Sequence, residues 1–265
     1  MNYFKLSLLG LVGLVLFFPA QSQLITISTA HWSADTTGSI EGWYEVETEI
    51  HEKTVVPNEK ITGAWTLYHY YTDDNSEILF VNMYEDWNAI DEAGKIGGEL
   101  AEKAWKKEED RQALGKKRSK YYSTMHSDEI YSALPNAKPL AQKPDSGLIV
   151  YMQKFRIART PEGGSTDEIM KLSEEFDKNV IHKNDMILGY YPMRHFYGAD
   201  SRDLIKVYIL KSLADVEKMA DKNRELVMAY WPDEEKRKAF FKKYNAYTES
   251  WHGDAIYSME AKLYK

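Results

Sequence analysis

The chain has no cysteine. That excludes thiol catalysis, a disulfide framework and a lipid-bearing cysteine behind a leader. Basic charge is also short: 34 Lys and Arg stand against 41 Asp and Glu, a net charge of −7, with no Lys/Arg-rich run. Nucleic acid requires a cationic footprint to release counterions, so it is excluded as a partner. No Walker loop, G-x-G-x-x-G, G-x-S-x-G or H-E-x-x-H occurs, and no serine has a recognisable nucleophile context. Long apolar runs are scarce too. The best, Leu6 to Phe18, is interrupted by Ser7, Gly10 and Gly13 and falls short of the about 20 residues that a bilayer span needs. Lys5 precedes it and Pro19-Ala20-Gln21-Ser22 follows, so residues 1–22 read as a signal peptide cut near Gln23. The expectation is an exported protein, periplasmic or extracellular, with no stable membrane anchor after signal removal. Without disulfides it relies on its cores, which 43% hydrophobic and 13% aromatic residues can fill.

What is present is a repeat. His126-Ser127-Asp128-Glu129-Ile130-Tyr131-Ser132 recurs as His252-Gly253-Asp254-Ala255-Ile256-Tyr257-Ser258, a shift of 252 − 126 = 126 positions. The same shift carries His69 onto His195, Tyr71 onto Tyr197, Trp105 onto Trp231, Arg111 onto Arg237 and Gly38-Ser39 onto Gly164-Ser165. About one aligned pair in four is identical, against roughly one in sixteen from average composition. The chain is two copies of one unit: residues 23–134 and 147–265, joined by a semi-rigid connector, 135–146, that holds Pro135, Pro139 and Pro144.

Reading the copies together fixes the elements. Leu148 to Ile157 is β-rich and bounded by Pro and Gly, so a strand opens each copy; the constant shift matches Leu24–Trp32 with Val150–Ala158. Ile40 to Thr54 alone passes for a strand. Its counterpart has Ile169, Leu172 and Phe176 at helical spacing, with Ser165 and Glu168 as a capping box, so both are helices. Ile61–Tyr71 and Ile78–Tyr84, with Ile187–Tyr197 and Leu204–Leu210, form hairpins. Asp86 and Ser212 are the expected N-caps of a second helix, with Trp87 and Ile90, and Leu213 and Val216, facing inward; Gly94 and Gly97-Gly98 break the first of these. A further helix follows, with Pro232 at its first position, and ends near Ser123 and Ser250. The duplicated heptapeptide is the last strand.

The order β-α-β-β-α-β is the ferredoxin-like pattern. Two such units in one chain resemble the dimeric α+β barrel superfamily, the group of the antibiotic-biosynthesis-monooxygenase-like domains. The resemblance covers both copies and implies an α+β fold in which two sheets face each other as a pseudo-dimeric barrel. The group includes cofactor-free oxygenases, haem proteins, isomerases and binding proteins, so it implies no one function.

Alternation places Trp65, Leu67, His69 and Tyr71 on one strand face, and Tyr191, Met193, His195 and Tyr197 on its counterpart. His126 with Asp128, and His252 with Asp254, share faces of the last strands; such pairs orient an imidazole, offer ligands to a divalent metal or simply tie down a turn. On the third strands Leu79, Val81, Met83 and Ile205, Val207, Ile209 are expected to pack under the helices. The other face, with Phe80 and Asn82 in one copy and Lys206 and Tyr208 in the other, then lines a lumen suited to a small anionic or aromatic molecule. Lys154 and Arg156 add charge in copy two, where copy one has Ser28 and Ala30; the alternative is that these long side chains reach solvent. Trp105 and Trp231 read as core anchors, with Glu108–Arg111 and Glu234–Arg237 as helical pairs.

The sequence therefore points to a protein that binds a small organic ligand in a lumen, preferably in copy two. An alternative is a cofactor-independent monooxygenase or isomerase with His195 or His69 as general base beside Tyr197 or Tyr71; a further one is duplication without a ligand. No cofactor is expected, with haem and a divalent metal left open. The chain is expected to act as a monomeric pseudo-dimer.

Overall fold

The computed structural model describes residues 23–34 and 38–265; the expected signal peptide lies outside them. Eight strands form one closed antiparallel barrel: β1 Leu24–Trp32, β2 Gly63–Tyr71, β3 Glu77–Tyr84, β4 Tyr122–Ala133, β5 Leu148–Ile157, β6 Gly189–Tyr197, β7 Asp203–Leu210 and β8 Thr248–Met259. The order around the barrel is β1-β3-β2-β8-β5-β7-β6-β4. Each copy supplies four neighbouring strands, and the seams between copies are β2–β8 and β4–β6. Closure leaves no free strand edge.

Six helices cover the sheet's outer face: α1 Ile40–Ile50, α2 Trp87–Ala104, α3 Glu108–Ser119, α4 Thr166–Phe176, α5 Ala214–Tyr230 and α6 Glu234–Asn245. Each copy thus runs βαββααβ, one helix beyond the minimal pattern. Ser39, Ser165, Asp86 and Asp233 cap α1, α4, α2 and α6 by accepting from backbone N–H groups at each helix start. Six expectations need correction. α2 runs through Gly94, Gly97 and Gly98 without a break, because eighteen residues anchored by buried Ala89 and Ala93 outweigh the glycines' entropy cost. Trp87 is exposed and packs edge-on and tilted against Phe196 and Tyr197 of the other copy instead of facing its own core. Ser212 donates to Asp215 and caps nothing. Pro232 precedes the Asp233 cap, and α3 and α6 end at Ser119 and Asn245, before Ser123 and Ser250. Glu234 pairs with Lys238, while Arg237 donates to the carbonyl of Trp231 at 2.7 Å, as Arg111 does to Trp105 at 2.6 Å.

α1 and α4 each run into a single π-turn, His51–Val55 and Asp177–Ile181, marked by the N–H of Val56 on His51 O and of His182 on Asp177 O, both 2.8 Å. Asn58 and Asn184, buried and identical in the two copies, pin the exits of these turns by donating to the carbonyls of Ala93 and Met219, each at 2.9 Å.

The shift of 126 holds from α1 through the last strand of each copy but slips by one in the first strand. Ile25 lies opposite Tyr131 and Met83, and Val150 opposite Tyr257 and Ile209, so Ile25 corresponds to Val150, a shift of 125. The counterparts of Lys154 and Arg156 are therefore Thr29 and His31, not Ser28 and Ala30. A one-residue slip exchanges the two faces of a strand.

Candidate functional site

The inner face of the barrel is a packed core. Trp65, Leu67, Leu79, Val81, Tyr191, Met193, Ile205, Val207, Ile209 and Met259 interdigitate there, leaving an apolar void of about 30 Å³. That is room for about one water, not an organic ligand. The face expected to lie under the helices thus fills the lumen, and the face carrying Phe80, Asn82, Lys206 and Tyr208 meets the helices. Both faces are apolar enough for either role, and only closure of the sheet decides between them.

His69, His195, Tyr71 and Tyr197 continue the lumen face to one barrel mouth, because β2 and β6 run in the same direction. Tyr71 and Tyr197 are exposed. His69 Nδ1 lies 2.8 Å from Thr72 Oγ1, whose hydroxyl donates to Asp74 O, so Nδ1 carries the proton. His195 Nδ1 is buried without a partner among the described residues. Beside each histidine a buried tyrosine meets an acid. Tyr257 donates to Glu77 at 3.1 Å, and burial pushes the Glu77 carboxyl up. Tyr131, opposite His195, donates to Glu129. Lys154 pairs with buried Asp203 at 2.7 Å, and Arg156 lies over Trp251 at 4.4 Å. These two cations stand at the lumen mouth, on the opposite sheet face from Lys206.

His126–Asp128 and His252–Asp254 are exposed pairs at 3.5 and 3.2 Å. Asp128 accepts from Ser28 and Asp254 from Tyr151, at 2.6 and 2.7 Å. β4 and β8 lie apart in the barrel order, so the two pairs do not converge. Among the described residues no group of three or more potential ligands is placed to hold a metal ion.

Outside the sheet in copy two lies a cavity of about 300 Å³ between β5–β7 and the helices α4 and α6. Its walls are mainly apolar: Leu134 at the end of copy one, Pro135 of the connector, Phe155, Ile157, Ile169, Met170, Pro192 and Leu204. Lys206 enters from β7, donates to the Tyr244 hydroxyl at 3.0 Å and sits 5.3 Å from the ring centres of Phe155 and Tyr244. Burial alone would lower its pKa; Tyr244, Tyr208 and Asp177 outweigh that and raise it, so the ammonium stays charged. Arg194, exposed at the cavity's rim, makes no ion pair among the described residues. Tyr208 packs in the helix-side core against Tyr151 and Tyr190, with burial pushing its hydroxyl up to about 12, and it does not line the cavity.

Asp177, the first residue of the π-turn, closes the far wall. It is 3% exposed, and its Oδ1 has no partner among the described residues. Burial raises its pKa to about 6 against the opposing pull of Lys206, Tyr190 and His182. Asp177 and Lys206 perturb one another without forming an ion pair among the described residues. Sequence reasoning passed over both Asp177 and Arg194. The available sign was Asp177 itself, an acid eight residues after Ile169 and so on the inward face of α4.

No protein-family model matches the chain, and no curated protein matches it. Solved structures do. A candidate monooxygenase from Fusobacterium nucleatum superposes over 92% of this chain and 94% of its own, with TM-score 0.56 and 9% identity. Another candidate monooxygenase, from Lactobacillus acidophilus, gives TM-score 0.57 at 6% identity over 90% and 93%. A chlorite dismutase variant from Candidatus Nitrospira defluvii gives 0.52 at 10% over 91% and 94%. The chain has the dimeric α+β barrel fold.

That fold accommodates haem in some proteins, so the cavity must be tested for it. No histidine lines it, and the Nε2 of nearby His182 is engaged by the carbonyl of Asn136 at 2.7 Å. About 300 Å³ is at the small end for a drug-sized ligand. The tyrosines Tyr190, Tyr244 and Tyr247 are bonded to Asp177, Lys206 and Glu168. These residues do not fit haem.

Proposed function

We propose that the protein binds a small aromatic or otherwise apolar organic anion in the copy-two cavity, with the Lys206 ammonium facing its charge. The observation that carries this reading is an ammonium kept charged at the wall of a mainly apolar cavity and not ion-paired among the described residues, with N–H donors left for a ligand. Arg194, exposed to solvent, adds positive charge at the cavity's rim. The neighbours' assignment as monooxygenases and a chlorite dismutase is compatible with a small-molecule site in this fold, though shared architecture does not transmit chemistry. A thermal-shift screen of small aromatic acids, with haem alongside, tests the reading. Aromatic acids should raise the melting temperature of the wild type and not of Lys206→Met, and haem should leave it unmoved. Equal shifts in both proteins would remove Lys206 from the site.

We also infer that residues 1–22 direct export, from the order of Lys5, the Leu6–Phe18 run and the small-residue site before Gln23. Mass spectrometry should find a mature amino terminus within about three residues of Gln23; an intact Met1 on the soluble protein would contradict it.

A further inference from the structure

We propose that Asp177 is a proton acceptor for the cavity's ligand, and that the ligand class is a phenol or enol. This rests on the cavity being a binding site and goes on to say what its two opposed charges do.

Asp177 and Lys206 face one cavity from different elements, the π-turn and β7, without touching each other. A ligand hydroxyl between them meets a carboxylate on one side and an ammonium on the other. The O–H bond breaks, the proton passes to an Asp177 carboxylate oxygen, and the electron pair stays on the ligand oxygen, facing Lys206. No oxidant or further reactant is needed. The groups around Asp177 support that direction of transfer. Tyr190 from β6 bonds to the carboxylate, His182 follows on its own turn, and Lys206, Tyr208 and Tyr244 stand on β7 and α6. Oδ1 has no partner among the described residues, so it is the atom placed to receive a proton. A carboxyl titrating near 6 is a far better proton acceptor than an ordinary one. Regular helical spacing puts it there, eight residues after Ile169 with its N–H still bonded back to Ser173 O, and the π-turn begins at it. Copy one has the same turn with His51 at that position and Phe80 in place of Lys206. The acid–ammonium pair therefore belongs to copy two alone.

The test uses 4-nitrophenol, whose yellow phenolate band reports where its proton is. At about pH 8 both the free phenol and Asp177 are ionised, and two anions in one apolar cavity must share a proton. Calorimetry in buffers of different ionisation enthalpy should show about one proton taken up per 4-nitrophenol bound to wild type. The bound ligand should keep its phenolate band, which places that proton on Asp177. The variant Asp177→Asn should bind with no uptake. Binding to wild type without uptake, or uptake unchanged in Asp177→Asn, would overturn the proton-acceptor role and leave the cavity reading standing. If equilibrium dialysis finds no binding to wild type, the cavity reading falls with it. If Asp177→Asn does not fold, wild type decides by itself: uptake with a lost phenolate band puts the proton on the ligand and also overturns the proposal.

Discussion

The two copies share a backbone plan and differ in what occupies the space between sheet and helices. In copy one that space is narrowed to about 180 Å³ and bounded by an ion-paired network. Trp43 donates to Tyr122 at 2.7 Å, Tyr122 donates to buried Glu47 at 2.8 Å, and Arg118 closes on Glu47 at 2.6 Å while lying over Phe80 and Tyr122. Leu263, from the turn Ala261–Leu263 after β8, seals the end and is 1% exposed. In copy two the counterparts of Trp43, Glu47, Phe80 and Arg118 are Ile169, Ser173, Lys206 and Tyr244, and all four line the cavity. Two shortened side chains open the space, and one apolar-to-cationic exchange charges it. Duplication lets one half keep a small cavity closed by an ion pair while the other carries a larger one, with a lysine at its wall that is unpaired among the described residues.

The comparison can be broken first by truncating Trp43 and its counterpart. Trp43→Ala should destabilise by about 3–5 kcal/mol, whereas Ile169→Ala, which already faces a cavity, should cost about 1 kcal/mol; denaturant titration measures both, and equal losses would mean that copy two is as tightly packed as copy one. The next largest effect concerns Asp177. Its folded pKa is raised to about 6 from an ordinary 3.8, so the native state holds the proton more tightly and stability falls as pH rises between those values. Asp177→Asn should therefore gain on wild type as pH goes from about 4 to about 7, by up to about 3 kcal/mol. A stability difference that does not change with pH would show the carboxyl to be ordinary. Arg118→Met should cost about 2 kcal/mol by leaving Glu47 buried and unpaired, against less than about 1 kcal/mol for Lys206→Met, which leaves no buried carboxylate without its ion pair. Smallest of all, Asp128→Asn and Asp254→Asn remove exposed pairs and should each change stability by less than about 0.5 kcal/mol.

Much of the architecture was legible from the repeat, because the copies resolve each other's ambiguities: Ile169, Leu172 and Phe176 show that Ile40–Thr54 is helical, which Trp43, Tyr44 and Val46 alone do not. Less of the site was. Periodicity identifies two faces of β3 and β7 but not which one turns inward, since that depends on the sheets closing on each other. The wrong choice of face on β7 puts Lys206 with Lys154 and Arg156 although they lie across the sheet from it, and a constant shift hides the slip that matches those two with Thr29 and His31. Asp177 lies at an inward helical position, but an acid at a helix end reads as solvated in a single sequence, and its burial follows from the cover that β6, β7 and α6 supply.

The claim that copy two alone carries the site is tested most directly by calorimetric titration of benzoate into wild type, Lys206→Met and Phe80→Met. The account predicts that Lys206→Met weakens binding at least about tenfold, some 1.4 kcal/mol, while Phe80→Met, at the matching position of copy one, leaves it unchanged. Benzoate binding that survives in Lys206→Met, or that is lost in Phe80→Met, would contradict it.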